Sequence, residues 1–331
     1  MSVSKYMLLY RQDEQSQSRL LDQESGDIRQ DPGVPNSVIR TWHISFDLIK
    51  RNRPQAAELI SLMAMLDRQG IPEFLLNVRF SNPLDLEDAT GSLGEISLIT
   101  IEKSGKIFGM HRLVQLATRK WIERYVDRKL WWGEAFKTIS KAFPNGSYTN
   151  WKTCETLSPH ALQVLTYGLE SSQSMLDRPS LLYNMAWYNR IQGRYEVAKA
   201  ESQESVTLRK DILPNNDMRI YESVEVLALV LSSQGKYADT EAMNRQALEI
   251  GEKVLGKTHP DTLTNVHHLA SLLQNRHEDK EATILYQRAC SGYKLSLGPE
   301  HLTTKACVKQ YFALLDSLEK AKQMKLYSAA C

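Results

Sequence analysis

The chain has 331 residues, 42% hydrophobic and 24% charged, which is enough apolar material for buried cores and more length than one ordinary domain needs. Its 41 basic and 39 acidic residues leave a formal charge of only +2, so no whole-chain field points to nucleic acid or an anionic membrane. Cys154, Cys290, Cys307 and Cys331 give neither a disulfide framework nor CxxC metal pairs, and the longest apolar run, residues 226–231, is far short of the roughly 20 residues of a membrane span. The N-terminus lacks the long apolar core of a signal peptide, so a reducing, cytoplasmic setting without membrane contact is expected.

In chain order, residues 1–35 are polar and end where Asp31, Pro32, Gly33 and Pro35 favour an irregular linker. Ile39, Trp42, Phe46 and Ile49 then form one helical stripe. Ala56, Leu59, Ile60 and Met63 form a second, beginning after Pro54, a residue suited to a helix's first turn. SLITIEKSGKIFGMH alternates apolar and polar residues on both sides of a Ser-Gly turn, the pattern of a β-hairpin. Residues 112–128 read as an amphipathic helix with Leu113, Leu116, Ala117 and Trp121 on its buried side. Its other side carries Arg112, Arg119, Lys120, Arg124, Arg128 and Lys129, but Glu123 and Asp127 interrupt them, so a solvated face is expected rather than a DNA contact.

The strings SVIRTWHISFDLIKRNRPQAAELISLMAMLDRQGIPEFLL and GEISLITIEKSGKIFGMHRLVQLATRKWI resemble the winged-helix segment of fungal NB-ARC and tetratricopeptide proteins, STAND-type NTPases related to NOD-like receptors. That resemblance implies a winged-helix-like domain over residues 36–129 with the hairpin as its wing, and a helical connector over 130–176. It implies that residues 1–35 are the remnant of a nucleotide-binding core that is otherwise absent. His111 falls where that family carries a Met-His pair whose histidine senses phosphate, which implies a relic nucleotide sensor.

The C-terminal part repeats. Gly193, Gly235 and His277 stand 42 residues apart, and the same step links Ser205, Ala247 and Ala289, Gly256 and Gly298, and His259 and His301. It also links Leu182, Val224, Val266 and Val308, and Met185, Leu227, Leu269 and Tyr311. Val224, Leu227, Ala228 and Leu231 make a helical stripe, Gly235 closes that helix, and a second helix follows in which Ala242, Ala247 and Leu248, then Ala282, Leu285 and Ala289, are expected at close helix crossings. Paired helices of this kind bury their apolar faces only by stacking on neighbouring pairs, which predicts a superhelix with a concave groove. His277 and Asp279 replace the Gly and Tyr of the two earlier units, which predicts a less regular third turn.

The strings SSQGKYADTEAMNRQALEIGEKVLGKTHPDTLTNVHHLASLL and HEDKEATILYQRACSGYKLSLGPEH resemble the 42-residue tetratricopeptide repeats of kinesin light chain and its fungal relatives. The resemblance covers about residues 181–318, with a last helix near 303–318, and implies a repeat domain over 177–325. The fold class expected is therefore mainly α, a winged-helix-like module followed by an α-solenoid of tetratricopeptide repeats.

Four patterns bear on chemistry. Gly251, Gly256, Lys257 and Thr258 spell GxxxxGK[ST], but a polar-faced helical segment precedes them where a phosphate loop needs a buried strand, so a repeat turn without ATP binding is expected. His259, His267, His268, His277 and His301 cluster in the repeats, but His259 and His301 recur at the turn and the adjacent His267 and His268 are unlike an i, i+4 ligand pair, so neither metal nor other cofactor is expected. No GxSxG or HExxH motif is present, and Cys154 with His160 lacks an orienting carboxylate signature, so no enzyme is expected. Asn145, Gly146 and Ser147 form a sequon expected to be silent in the cytosol.

The groove is the remaining candidate. Kinesin light chain-like repeats often carry Asn on helix A, where its amide can donate to and accept from an extended peptide backbone. Here Asn184 matches, and Val226, His268 and Gln310 occupy the successive equivalents. Asn184, Asn265, His268 and Gln310 are the expected polar groove residues. The function expected is a non-enzymatic scaffold that binds a partner protein or peptide. The alternatives are a regulatory fragment of a STAND NTPase acting through its winged helix, and a DNA-binding regulator.

Overall fold

The structure, a computed structural model, describes residues 38–330 apart from 81, 127 and 168–173. The expected remnant at residues 1–35 lies outside the described residues. Contacts divide the chain into two compact units, residues 1–144 with 148–181, and residues 145–147 with 182–331.

In the first unit, α1 (Val38–Asn52) is followed by α2 (Pro54–Met65), which has Pro54 in its first turn. Ala56, Ala57 and Leu59 to Leu66 are all buried, so α2 is the spine of this unit. Each of its fully buried Leu, Ile and Met side chains contributes about 1.5–3 kcal/mol relative to exposure. The expected stripe on α1 holds at Phe46 and Ile49, both buried, and at the half-buried Trp42. After β1 (Ile71–Pro72) come the one-turn α3 (Glu73–Leu76) and α4 (Pro83–Glu95). The Asn82 side chain caps α4, accepting from Leu84 N–H at 3.1 Å.

The expected hairpin is present as β2 (Ile99–Ile101) and β3 (Ile107–Met110), paired with Ile99 opposite Met110 and Ile101 opposite Phe108. Gly105 takes φ +72° in its turn, and β1 joins the outer side of β3, giving the strand order β1-β3-β2. Next, α5 (Arg112–Tyr125) buries Val114, Leu116, Ala117, Thr118, Trp121 and Ile122, while Leu113 is only half-buried; the buried stripe is rotated slightly from the one read in sequence. The buried carbonyl end of α2, which has no partner further along its own helix, is satisfied from far along the chain. Gln115 donates to Ala64 O and Leu66 O, Arg119 Nε to Ala64 O at 2.7 Å, and Tyr167 Oη to Met65 O at 2.7 Å. Helices α6 (Arg128–Ala142) and α7 (Trp151–Leu165), expected as a connector, pack into this same core through Trp131, Phe136, Ile139, Leu157 and Ala161.

The second unit is a run of helices: α8 (Ser174–Ile191, entering the unit at residue 182), α9 (Tyr195–Ile212), α10 (Met218–Ser233), α11 (Tyr237–Val254), α12 (Pro260–Asn275), α13 (Asp279–Ser296) and α14 (Leu302–Ala330). The final helix runs well past the expected 303–318. We call α8, α10, α12 and α14 the A helices, and α9, α11 and α13 the B helices. The positions shared at the 42-residue step are buried where a neighbour covers them: Leu182, Val224 and Val266, Met185, Leu227 and Leu269, and Ser205, Ala247 and Ala289. Val308 and Tyr311, on the last A helix, are half-buried. Ala242 is exposed; the close crossing on α11 is made by Thr240, which aligns with the buried Ala198 and Ala282.

The turns from A helix to B helix are equivalent in all three pairs, so the expected irregularity at His277 is not found. Gly193, Gly235 and His277 have φ of +76°, +72° and +63°. Their amides donate to Arg190 O, Ser232 O and Gln274 O at 3.1, 3.0 and 3.0 Å, and each following amide reaches back into the last helical turn. Stacking of the pairs imposes this backbone whether or not glycine is present. The turns leading into A helices also share a device. Asp217, His259 and His301 are N-caps 42 residues apart, accepting the amide two residues on at 2.9, 3.2 and 3.2 Å.

Candidate interaction face on the repeat helices

The equivalent positions Asn184, Val226, His268 and Gln310 run across the four A helices. Val226 is fully buried and, with Val230, Ala186 and Ala198, forms an apolar floor against which Tyr183 and Trp187 pack. Asn184 is half-buried beside it. His268 is also half-buried, and its Nδ1 is enclosed without a hydrogen-bond partner among the described residues. Burial, and then the neighbouring His267 and Arg190, push its pKa down to about 4, so it is neutral at physiological pH. Arg190, in the last turn of α8, lies 5.6 Å from the Trp187 ring. Its Nε is enclosed without an acceptor, no salt bridge joins it to a carboxylate among the described residues, and burial lowers its pKa.

Gln310 is exposed and receives a hydrogen bond of 2.7 Å from His267 Nε2, which fixes the Nε2–H tautomer because an amide oxygen only accepts. The His267 ring meets Tyr286 and Tyr293 edge-on at 5.7 and 6.3 Å. Toward the N-terminal halves of the A helices the charge reverses. Glu225 has its pKa raised to about 7 by burial and then by Asp261 and Glu222. Glu222 pairs with Arg209 at 3.4 Å, and the Arg209 guanidinium lies 5.0 Å from the Tyr183 ring.

Asn265 does not belong to this face. It is fully buried, and its Nδ2 donates at 2.6 Å to Tyr221 Oη, which in turn donates to Asp261 O at 2.9 Å. It is a seam residue between successive A helices. Sequence reasoning also passed over Trp187 and Arg190, whose place beside His268 depends on the stacking of α8, α10 and α12.

His111 is the N-cap of α5, its Nδ1 accepting Leu113 N–H at 3.2 Å, as His259 and His301 do in the repeats. Several basic side chains of α5 and its flank are engaged within the chain. Arg119 caps α2, Lys120 and Arg128 both pair with Glu123 at 3.2 and 3.0 Å, and Arg128 stacks 4.3 Å from Trp132. The GxxxxGK[ST] string starts inside α11. Gly251 is a packing residue, since a Cβ there would stand 3.0 Å from Tyr221, and Gly256 takes φ +93° in the turn that follows. The preceding element is thus a helix, and Lys257 O accepts from Arg288 at 3.3 Å. His160, near Cys154 in sequence, is fully buried and bonded through Nε2 to Gly70 O at 3.1 Å. Among the described residues no group of three His, Cys, Asp or Glu is placed to hold a metal ion, and no helix is long and apolar enough to cross a membrane.

A tetratricopeptide-repeat family model matches residues 220–295. Those residues are tetratricopeptide repeats. A second family model, described as a domain of unknown function (DUF7779), matches residues 48–125, within the first unit. A nucleotide-binding leucine-rich repeat (NLR)-like protein of Hyaloscypha variabilis is 31% identical over 272 residues, which are 80% of this chain. The chain spans only 23% of that relative's length. Among solved structures, BtubC (BKLC) of P. vanneervenii aligns at 12% identity with TM-score 0.38, over 61% of this chain and 86% of that one. Nearly identical TPR-like repeats of a Podosopora anserina protein, whose description assigns it only provisionally to kinesin light chain, align at 16% identity with TM-score 0.36, over 78% and 96%. The tetratricopeptide unit is thus joined to a first unit for which the matching family carries no assigned role.

Proposed function

We propose that the chain is a non-enzymatic interaction scaffold whose tetratricopeptide A helices bind an extended segment of a partner protein. The observation that carries this reading is the pair of enclosed nitrogens, Arg190 Nε and His268 Nδ1, without partners among the described residues beside the apolar floor of Val226 and Val230. Buried polar atoms without partners cost about 1–3 kcal/mol each, and an extended backbone laid across the A helices would supply the missing acceptor and donor once the Arg190 and His268 side chains turn toward it. Asn184 and Gln310 flank the same row and would contribute amide contacts. The test is selection from a displayed peptide library, followed by affinity measurements on the enriched peptides. Arg190→Ala, and Asn184→Ala combined with His268→Ala, should each weaken binding at least about tenfold, the size of a hot-spot loss. Peptides that bind both variants as tightly as the natural chain would remove this face from the account.

A second reading, favoured by the 31% identity to the NLR-like protein, is that the first unit is a winged-helix-like module serving a nucleotide-binding partner in trans. From α2 onward its order of helix, strand, two helices and hairpin, with strands arranged β1-β3-β2, supports the winged-helix description. Under this reading the chain would co-purify with the nucleotide-binding region of that relative, and His111→Ala would reduce the capture; no capture at all would discard it. The internal engagement of Arg119, Lys120 and Arg128 argues against the DNA-binding alternative.

A further inference from the structure

Cys290 on α13 and Cys307 on α14 have their Sγ atoms 2.9 Å apart, and both are buried in the apolar cluster formed with Val266, Leu269, Tyr286 and Tyr293. A disulfide has an S–S distance of about 2.05 Å, so less than about 1 Å of approach separates this thiol pair from a bond. We propose that Cys290 and Cys307 are a reversible modification site, oxidised to an intramolecular disulfide by a low-molecular-weight disulfide of the glutathione class. The inference is independent of what the A-helix face binds.

The two thiols are not equivalent. Cys290 is hydrogen-bonded to Cys307 and lies near Lys294, which hold its pKa below the usual thiol range, whereas Cys307 is pushed up by Cys290 and by burial. Cys290 is also 5% exposed and Cys307 not at all. Cys290 is therefore the attacking sulfur and Cys307 the resolving one. In the first step the Cys290 thiol gives up its proton and its sulfur attacks one sulfur of the oxidised reagent. The reagent's S–S bond breaks and one reduced thiol leaves. In the second step the Cys307 thiol loses its proton, and its sulfur attacks Cys290 and expels the second reduced thiol. Two protein thiols are oxidised and one small disulfide is reduced. Access comes from opening of α14, the last described helix, which packs principally on α13 and leaves Leu302 and Phe312 exposed. The bond would fasten that helix to its neighbour.

The experiment exposes the full chain to graded ratios of oxidised to reduced glutathione, quenches with acid, and alkylates after denaturation. Peptide mapping by mass spectrometry should find Cys290 joined to Cys307 with the loss of two hydrogens, reversed by dithiothreitol, and thermal unfolding of the oxidised chain should shift upward. Cys307→Ser should trap glutathione on Cys290, while Cys290→Ser should leave Cys307 unmodified. The proposal is overturned if both thiols of the natural chain remain alkylatable at every ratio, if either pairs instead with Cys154 or Cys331, or if Cys307 is modified equally well without Cys290.

Discussion

Replacing His277 by glycine tests whether the stacking of helix pairs, rather than the local sequence, sets the turn between A and B helices. His277 holds φ +63°, where a residue with a Cβ pays about 1–2 kcal/mol. Its side chain is exposed and makes no hydrogen bond among those of the described residues, so its removal costs little contact energy. Glycine relieves the clash but brings an unfolded-state entropy penalty of about 0.5–1 kcal/mol. The net expectation is a gain of about 0.5–1 kcal/mol, read as a higher urea midpoint with an unchanged slope. The repeats supply the reciprocal control: Gly235, at φ +72° in the same hydrogen-bonded turn, should lose a comparable amount when changed to histidine. A destabilised or unmoved His277→Gly would refute the reasoning, because it would mean that the imidazole contributes something the turn geometry does not show.

Other perturbations follow from packing and charge. At Gly292 a Cβ would stand 2.5 Å from the buried Leu263 side chain, so Gly292→Ala should destabilise by about 0.5–2 kcal/mol after its helix-propensity gain, measured by urea unfolding. Gly133, on α6, has nothing within 4 Å of that position, so Gly133→Ala should stabilise by about 0.5–1 kcal/mol in the same assay; a loss there would contradict the open space. Glu201 is buried, and its burial raises its pKa to about 7 from 4.5 against the opposing hydrogen bonds from Asn189 Nδ2 at 2.9 and 3.0 Å. The folded state therefore holds this proton more tightly than the unfolded chain. The stability that it contributes is complete below about pH 4.5 and is lost as pH rises through about 7. Glu201→Gln should accordingly match the natural chain near pH 4.5 and exceed it by about 2–3 kcal/mol at pH 8, and a pH-independent difference would show that the carboxyl is not desolvated.

The 42-residue period, the helix pairs, the closing glycines and the β-hairpin could all be read directly from residue order. Each rests on interactions within a few positions along the chain: apolar residues at i, i+3 and i+4, a glycine that accepts positive φ, and alternation across a two-stranded turn. The same locality explains what was misread. Nothing near Asn265 in sequence reveals that Tyr221 covers it, and nothing near His277 shows that its neighbours force the turn that Gly193 and Gly235 take by preference. The candidate face was half legible. Repetition exposed the row from Asn184 to Gln310, while Arg190 and Trp187 joined it only when three A helices stacked. The capping of α2 by Gln115, Arg119 and Tyr167, and the meeting of Cys290 with Cys307, were settled by tertiary structure for the same reason. Such contacts depend on which distant side chains a packed core brings within a few ångströms of one another, and periodicity along a single helix carries no record of its partner.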